Sequence, residues 1–127
     1  MRFSIILILL ILPVTGCNNH RDARLHMQVA GAWKEFGNSG NMTLDSRGSF
    51  HARFTSTSSN DTKEWAQDGT WDVKDGFLIF TTTNGPVRNT PFAAPVGRVA
   101  RCKITFINNR NMVYLSSDGK NGFSWTR

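Results

Sequence analysis

The chain is poor in the residues on which most protein chemistry depends. In 127 residues it has two cysteines, three histidines, one tyrosine and four prolines. Two cysteines cannot build a disulfide framework, so packing has to hold the fold together. None of His20, His26 and His51 has a cysteine, histidine or carboxylate partner at zinc-ligand spacing. No glycine-rich phosphate loop, nucleophile elbow or Ser-His-Asp ordering is present. Glu64, Asp68 and Asp72 share the outward side of one alternating segment and read as a solvated face. The sequence therefore implies no enzyme, no cofactor and no metal. Sustained amphipathic-helix periodicity is missing too, which argues against a helical core.

Nine phenylalanines and four tryptophans are what the chain has in quantity, and buried aromatic rings remove large apolar areas from water. From Gly31 onward the hydrophobic pattern has period two, the signature of strands with one buried face. In Ser49 to Thr57, Phe50, Ala52 and Phe54 fall on one side and His51, Arg53 and Thr55 on the other. Lys63 to Lys74 places Trp65, Gln67, Gly69, Trp71 and Val73 together, with Gly69 marking a bend or bulge. The turn signals Asp45-Ser46-Arg47-Gly48, Lys74-Asp75-Gly76, Asn108 to Asn111 and Asp118 to Gly122 separate such runs. Asp-Gly and Asn-Gly steps favour tight antiparallel hairpins.

Eight strands follow: Ala32 to Phe36, Asn41 to Asp45, Ser49 to Thr57, Lys63 to Lys74, Phe77 to Thr83, Val99 to Ile107, Met112 to Ser117 and Phe123 to Arg127. The expected fold class is all-β, an eight-stranded antiparallel up-and-down meander that removes its exposed edges by closing into a small barrel. Met42, Phe50, Phe54, Trp65, Trp71, Ile104, Phe106, Phe123 and Trp125 compete for its inner face. Either these side chains fill the lumen, or some of them, Trp65, Trp71 and Trp125 above all, line a space for an apolar ligand. Cys102 alternates with Ala100, Ile104 and Phe106 and reads as inert core. The long connection Asn84 to Arg98 carries three prolines and Phe92. It is either a lid over the barrel mouth, with Phe92 a candidate ligand contact, or a packed crossover.

Acidic residues are scarce in the second half. From Asn18 to Asn84 seven Lys or Arg face eight Asp or Glu, whereas from Gly85 onward seven basic residues face Asp118 alone. Arg88, Arg98, Arg101, Lys103 and Arg110 form a candidate surface for an anionic envelope component; a merely solvated surface is the alternative. No nucleic-acid partner is expected of an exported chain.

Export is read from the start of the chain. Arg2 precedes the apolar run Ile5 to Leu12, and small residues follow, the layout of a secretory signal peptide. The uncharged stretch is too short to cross a bilayer, which takes about 20 apolar residues. The tetrapeptide Val14-Thr15-Gly16-Cys17 resembles the lipobox of bacterial lipoproteins. The resemblance implies acylation of Cys17 and a membrane partner held through that N-terminal lipid, since two or more acyl chains anchor stably. Asn18 after the cysteine favours the outer membrane, facing the periplasm, in a Gram-negative host. Residues 1–16 then form the signal peptide, 17–28 a polar tether and 29–127 the barrel, with one helical turn from Leu25 to Val29 plugging an end of the domain.

Gly31-Ala32-Trp33 on the first strand, the eight-strand meander and Arg127 at its end resemble the calycin superfamily, in particular small bacterial lipocalin-like lipoproteins. The resemblance implies that Trp33 closes one barrel end and that Arg127 packs across it, a guanidinium on an indole face. It also implies a non-enzymatic protein binding an apolar or amphiphilic small molecule. A protein-interaction or inhibitor module built on a filled barrel is the other reading.

Overall fold

The computed structural model describes residues 15–36, 40–85 and 96–127. The signal-peptide expectation for residues 1–16 therefore falls almost wholly outside the described residues. One helix, α1 (Thr15–Val29), precedes eight strands: β1 (Gly31–Glu35), β2 (Gly40–Leu44), β3 (Ser49–Ser58), β4 (Asp61–Lys74), β5 (Phe77–Asn84), β6 (Val99–Ile107), β7 (Asn111–Leu115) and β8 (Gly122–Thr126). Each strand pairs antiparallel with the next, and β8 returns to β1 through Lys34–Thr126 and Glu35–Trp125. The result is the closed up-and-down barrel that the alternation called for.

The hairpins follow local chemistry. Asp75 and Gly76 both have positive φ, as the two-residue turn between β4 and β5 demands. Ser59 and Asn60 make the same kind of turn between β3 and β4, a signal that the sequence reading passed over. Because that turn is so tight, pairing of β3 with β4 continues to Ser58 and Asp61. Asn108 Oδ1 accepts hydrogen bonds from the Arg110 and Asn111 amides at the β6–β7 turn.

Two bulges re-aim side chains. One lies where β4 meets β5, between Asp68 and Gly69. A Cβ on Gly69 would sit 1.9 Å from the Thr81 carbonyl oxygen and 2.7 Å from the Phe50 ring, so no larger residue fits there. The other lies in β6, where Ile104 pairs with Tyr114 but Phe106 pairs with Val113. The extra residue inverts the alternation beyond it. Phe106, expected on the inner face, is consequently 51% exposed, and Ile107 packs against the core in its place.

The closed end of the barrel holds Val29, Trp33, Leu44, Phe50, Trp71, Val73, Leu78 and Met112, all buried. The segment read as a tether is helical throughout its described length, and its second half docks on this end. Leu25 and Val29 pack on the core, His26 stacks on Trp71 at 4.2 Å, and the Asp22 carboxylate accepts from the Asp75 and Gly76 amides at 2.8 and 3.0 Å. Residues 22, 25, 26 and 29 lie on one helix face. Half of that face is polar, which is why no hydrophobic period announces the helix.

Candidate functional site

The inner wall changes character along the barrel axis. Toward the closed end it is apolar and fully packed; toward the opposite rim it carries Glu35, Phe54, Trp65, Gln67, Thr82, Tyr114, Phe123 and Trp125. Strand parity puts all eight on the inside: each alternates with an exposed or half-buried neighbour, and Tyr114 pairs with Phe123 as Glu35 pairs with Trp125. Phe54, Trp65, Gln67 and Phe123 are only half-buried, as expected near an open rim. Beyond them the loop from Asn84 to Arg98 is described only at its two ends. The expectations that concern its middle, a lid or crossover together with Phe92 and Arg88, lie outside the described residues.

The rings make a connected surface. Tyr114 lies 5.3 Å from Phe123, 6.1 Å from Phe80 and 6.5 Å from Trp125, and Phe54 meets Trp125 edge-on at 6.3 Å. Such offset and edge-on contacts suit the ring quadrupoles. The Phe54 ring and the Glu35 carboxylate both lie over Gly40.

Polar groups are set into this apolar surface. Gln67 Nε2 donates to the buried Thr82 hydroxyl at 2.7 Å. Burial pushes the Tyr114 phenol far above its ordinary range, with the Cys102 and Glu35 charges adding to the rise. The Trp125 N–H opposes that shift by proximity without reaching hydrogen-bond geometry. Trp125 is 3% exposed, and its Nε1 has no hydrogen-bond partner among the described residues. Burial likewise pushes the Cys102 thiol up to about 11, so it stays protonated at neutral pH and packs as core.

The other candidate residues are dispersed. Trp33 and Trp71 sit at the closed end with their indole nitrogens engaged, donating to the Val29 and Asp45 carbonyls at 2.7 and 2.8 Å. The Arg127 guanidinium lies 4.2 Å above the Trp33 ring and donates to the carbonyls of Gln28 and Ala30. Gly31, with φ of 138°, leaves space for it, since a Cβ there would stand 3.4 Å from the Arg127 Cζ. Cys17 falls in the first turn of α1.

Of the basic candidates, the described residues Arg98, Arg101, Lys103 and Arg110 occupy different parts of the barrel. Arg101 covers the Phe77 ring at 3.9 Å, and Lys103 lies beside Phe77 across the ladder. Arg98 is at the rim, where its carbonyl accepts from the Thr82 amide, and Arg110 is at the closed end in the β6–β7 turn. On the outer wall Phe77, Lys103 and Leu115, with the turn Ser116 to Gly119, bound a groove of about 230 Å³. Asp118 borders it, its carboxyl held below the usual range by hydrogen bonds from Ser116 and the Lys120 amide.

Sequence reasoning missed one polar constellation. The barrel register brings His51 and Asp68 into a hydrogen-bonded pair, with Asn84 donating to the other Asp68 oxygen. The histidine makes no hydrogen bond to a hydroxyl or thiol among the described residues, although Thr43 stands opposite it on β2. Among those residues there is also no group of three His, Cys, Asp or Glu side chains able to hold a metal ion. Only cross-strand register could have revealed the pair, and single-strand periodicity does not contain it. The chain matches no family model, no curated protein and no solved structure.

Proposed function

We propose that this chain is a lipid-anchored bacterial envelope protein whose lipocalin-like barrel binds a small amphiphilic molecule without catalysing a reaction. The observation that carries the binding reading is the division of the inner wall. A fully packed floor supports an upper wall of aromatic rings interrupted by a few polar groups, the composition of small-molecule sites generally. Trp33 and Arg127 on the floor support the lipocalin-like reading, because they meet as the Gly-x-Trp strand and terminal arginine of that group imply. The anchor rests on the sequence Val14-Thr15-Gly16-Cys17, which follows the apolar run directly.

A second reading, a protein-interaction module, draws on the outer groove at Phe77, Lys103 and Leu115 and on the exposed Phe106. Native mass spectrometry of protein extracted from its own membrane separates the two. The binding reading expects a retained small molecule at one copy per chain. A ligand-free barrel that travels with a second polypeptide would replace it with the interaction reading. For the anchor, Cys17→Ser should move the protein from the membrane to the soluble fraction, and unchanged fractionation would refute lipidation.

A further inference from the structure

The outer wall of the barrel has two unlike sides, and one of them suits a lipid surface. We propose that the wall made by β5, β6, β7, β8 and β1 lies against the leaflet that holds the N-terminal lipid, its cations on anionic phospholipid headgroups and its rings among them. The proposal rests on the lipid-anchored reading and adds which face of the barrel meets the membrane.

Strand parity sorts the outward side chains. On β3 and β4 they include Glu64, Asp68 and Asp72, and Arg53 is tied to Glu64 there. On the described strands β5, β6, β7, β8 and β1 no outward position is acidic, whereas Arg101, Lys103 and Lys34 are basic and exposed. None of these three makes an ion pair among the described residues. The nearest carboxylates stand at the edges of the wall: Asp72 across the ladder from Ile79, Asp75 in the β4–β5 turn and Asp118 in the β7–β8 turn.

The same wall carries apolar rows. Phe77, Lys103 and Leu115 pair in sequence across β5, β6 and β7, and the Arg101 guanidinium covers the Phe77 ring. Phe106, Val113 and Ser124 form a second row, which Phe36 continues by donating its amide to the Ser124 carbonyl. Phe106 faces outward only because of the β6 bulge, and Phe36 is 83% exposed. Single exposed hydrophobics are ordinary, but rings gathered on one wall mark a contact with protein or membrane.

The path of α1 favours the membrane. Asp22 accepts from the Asp75 and Gly76 amides, so the helix passes the β4–β5 turn, and Phe77 is the next residue of the chain after that turn. Cys17 lies five residues closer to the helix head, about 7.5 Å along the axis. A lipid on Cys17 therefore brings its leaflet to this corner of the barrel. Two walls meet there. The β4 side carries carboxylates, which an anionic leaflet repels, and the β5 side carries cations, which it attracts. Long basic side chains and aromatic rings both suit the boundary between headgroups and acyl chains.

Lysine footprinting of the acylated protein tests this. Protein extracted from its own membrane is reconstituted into vesicles of phosphatidylcholine, alone or with phosphatidylglycerol, floated, and exposed to a water-soluble amine-acetylating reagent read by mass spectrometry. On the anionic vesicles Lys103 and Lys34 should react about tenfold more slowly than in detergent. Lys63, paired with Ser56 of β3, should keep its rate. Raising the salt to about 1 M, where the Debye length is about 3 Å, should release most of the protection. Arg101→Glu and Phe106→Ser, both at exposed positions, should each cut it about fivefold. Arg53→Glu makes the same charge change on the other wall and should leave it intact. Floated protein whose Lys103 reacts at the detergent rate, or whose Lys63 is equally protected, would overturn the proposal while the anchor stands. Protection of Lys103 in native membranes but not on protein-free vesicles would assign the wall to a protein partner and overturn it likewise. Flotation on anionic vesicles alone, with Lys103 protected, would uphold the wall and refute the lipid. If the protein floats on neither vesicle, the anchor and the wall both fall.

Discussion

Trp33 is gripped from three sides: its nitrogen by the Val29 carbonyl, its ring face by Arg127, its edge by the packed floor. Replacing it with alanine should cost about 3 to 5 kcal/mol in urea unfolding, the range for a truncated buried aromatic. Gly69 is the opposite case, where addition is harmful. Gly69→Ala must push a Cβ into the Thr81 carbonyl and the Phe50 ring, and should destabilise by about 1 to 3 kcal/mol. Both residues were legible in the sequence, Trp33 through its motif and Gly69 as a glycine interrupting an alternating run. Trp125 was legible only as an aromatic on the inner face. That its nitrogen lacks a partner depends on the rings around it, and no single-chain pattern encodes those.

At the scale of elements, the strands were read with boundaries off by no more than two residues, because alternation and turn chemistry are local. The bulge in β6 was not, since nothing in Val99 to Ile107 marks the inserted residue; its position is set by how β6 must meet β7. Of helix α1 only the last turn, Leu25 to Val29, was legible; the rest escaped for a different reason. Its docking face replaces two apolar anchors with Asp22 and His26, so the burial that fixes it carries a weak hydrophobic signature. Asp22→Ala removes the acceptor of two turn amides and should lower stability by about 1 to 2 kcal/mol. Hydrogen exchange provides the check: α1 amides should lose protection while those of β3 and β4 keep most of theirs. Uniform loss across the barrel would mean that the helix and sheet open as a single unit.

For the molecule as a whole, two weak acids kept neutral inside the wall, Cys102 and Tyr114, make stability fall in alkali. In the unfolded chain the Cys102 thiol ionises at about 9, and in the folded chain at about 11. Between those values the unfolded state sheds a proton that the folded state keeps, so stability falls as pH rises through that window. Tyr114, pushed in the same direction, extends the fall to higher pH. Urea midpoints should be flat below about pH 9 and correspond to a loss of up to roughly 2 kcal/mol by pH 10.5. Cys102→Ala should flatten the first part of the decline. A profile unchanged by that substitution would show that the thiol is not the group responsible.

Helix α1 has one more consequence, a mechanical one. Its fifteen residues run without a break from Thr15 to Val29, a rod of about 22 Å, and its far end is the stopper of the barrel. A rod has no slack. Any pull or tilt imposed near residue 17 travels along it to the Asp22 clasp first and to Val29 and Trp33 last, so whatever grips the head of this helix also has its hand on the cork.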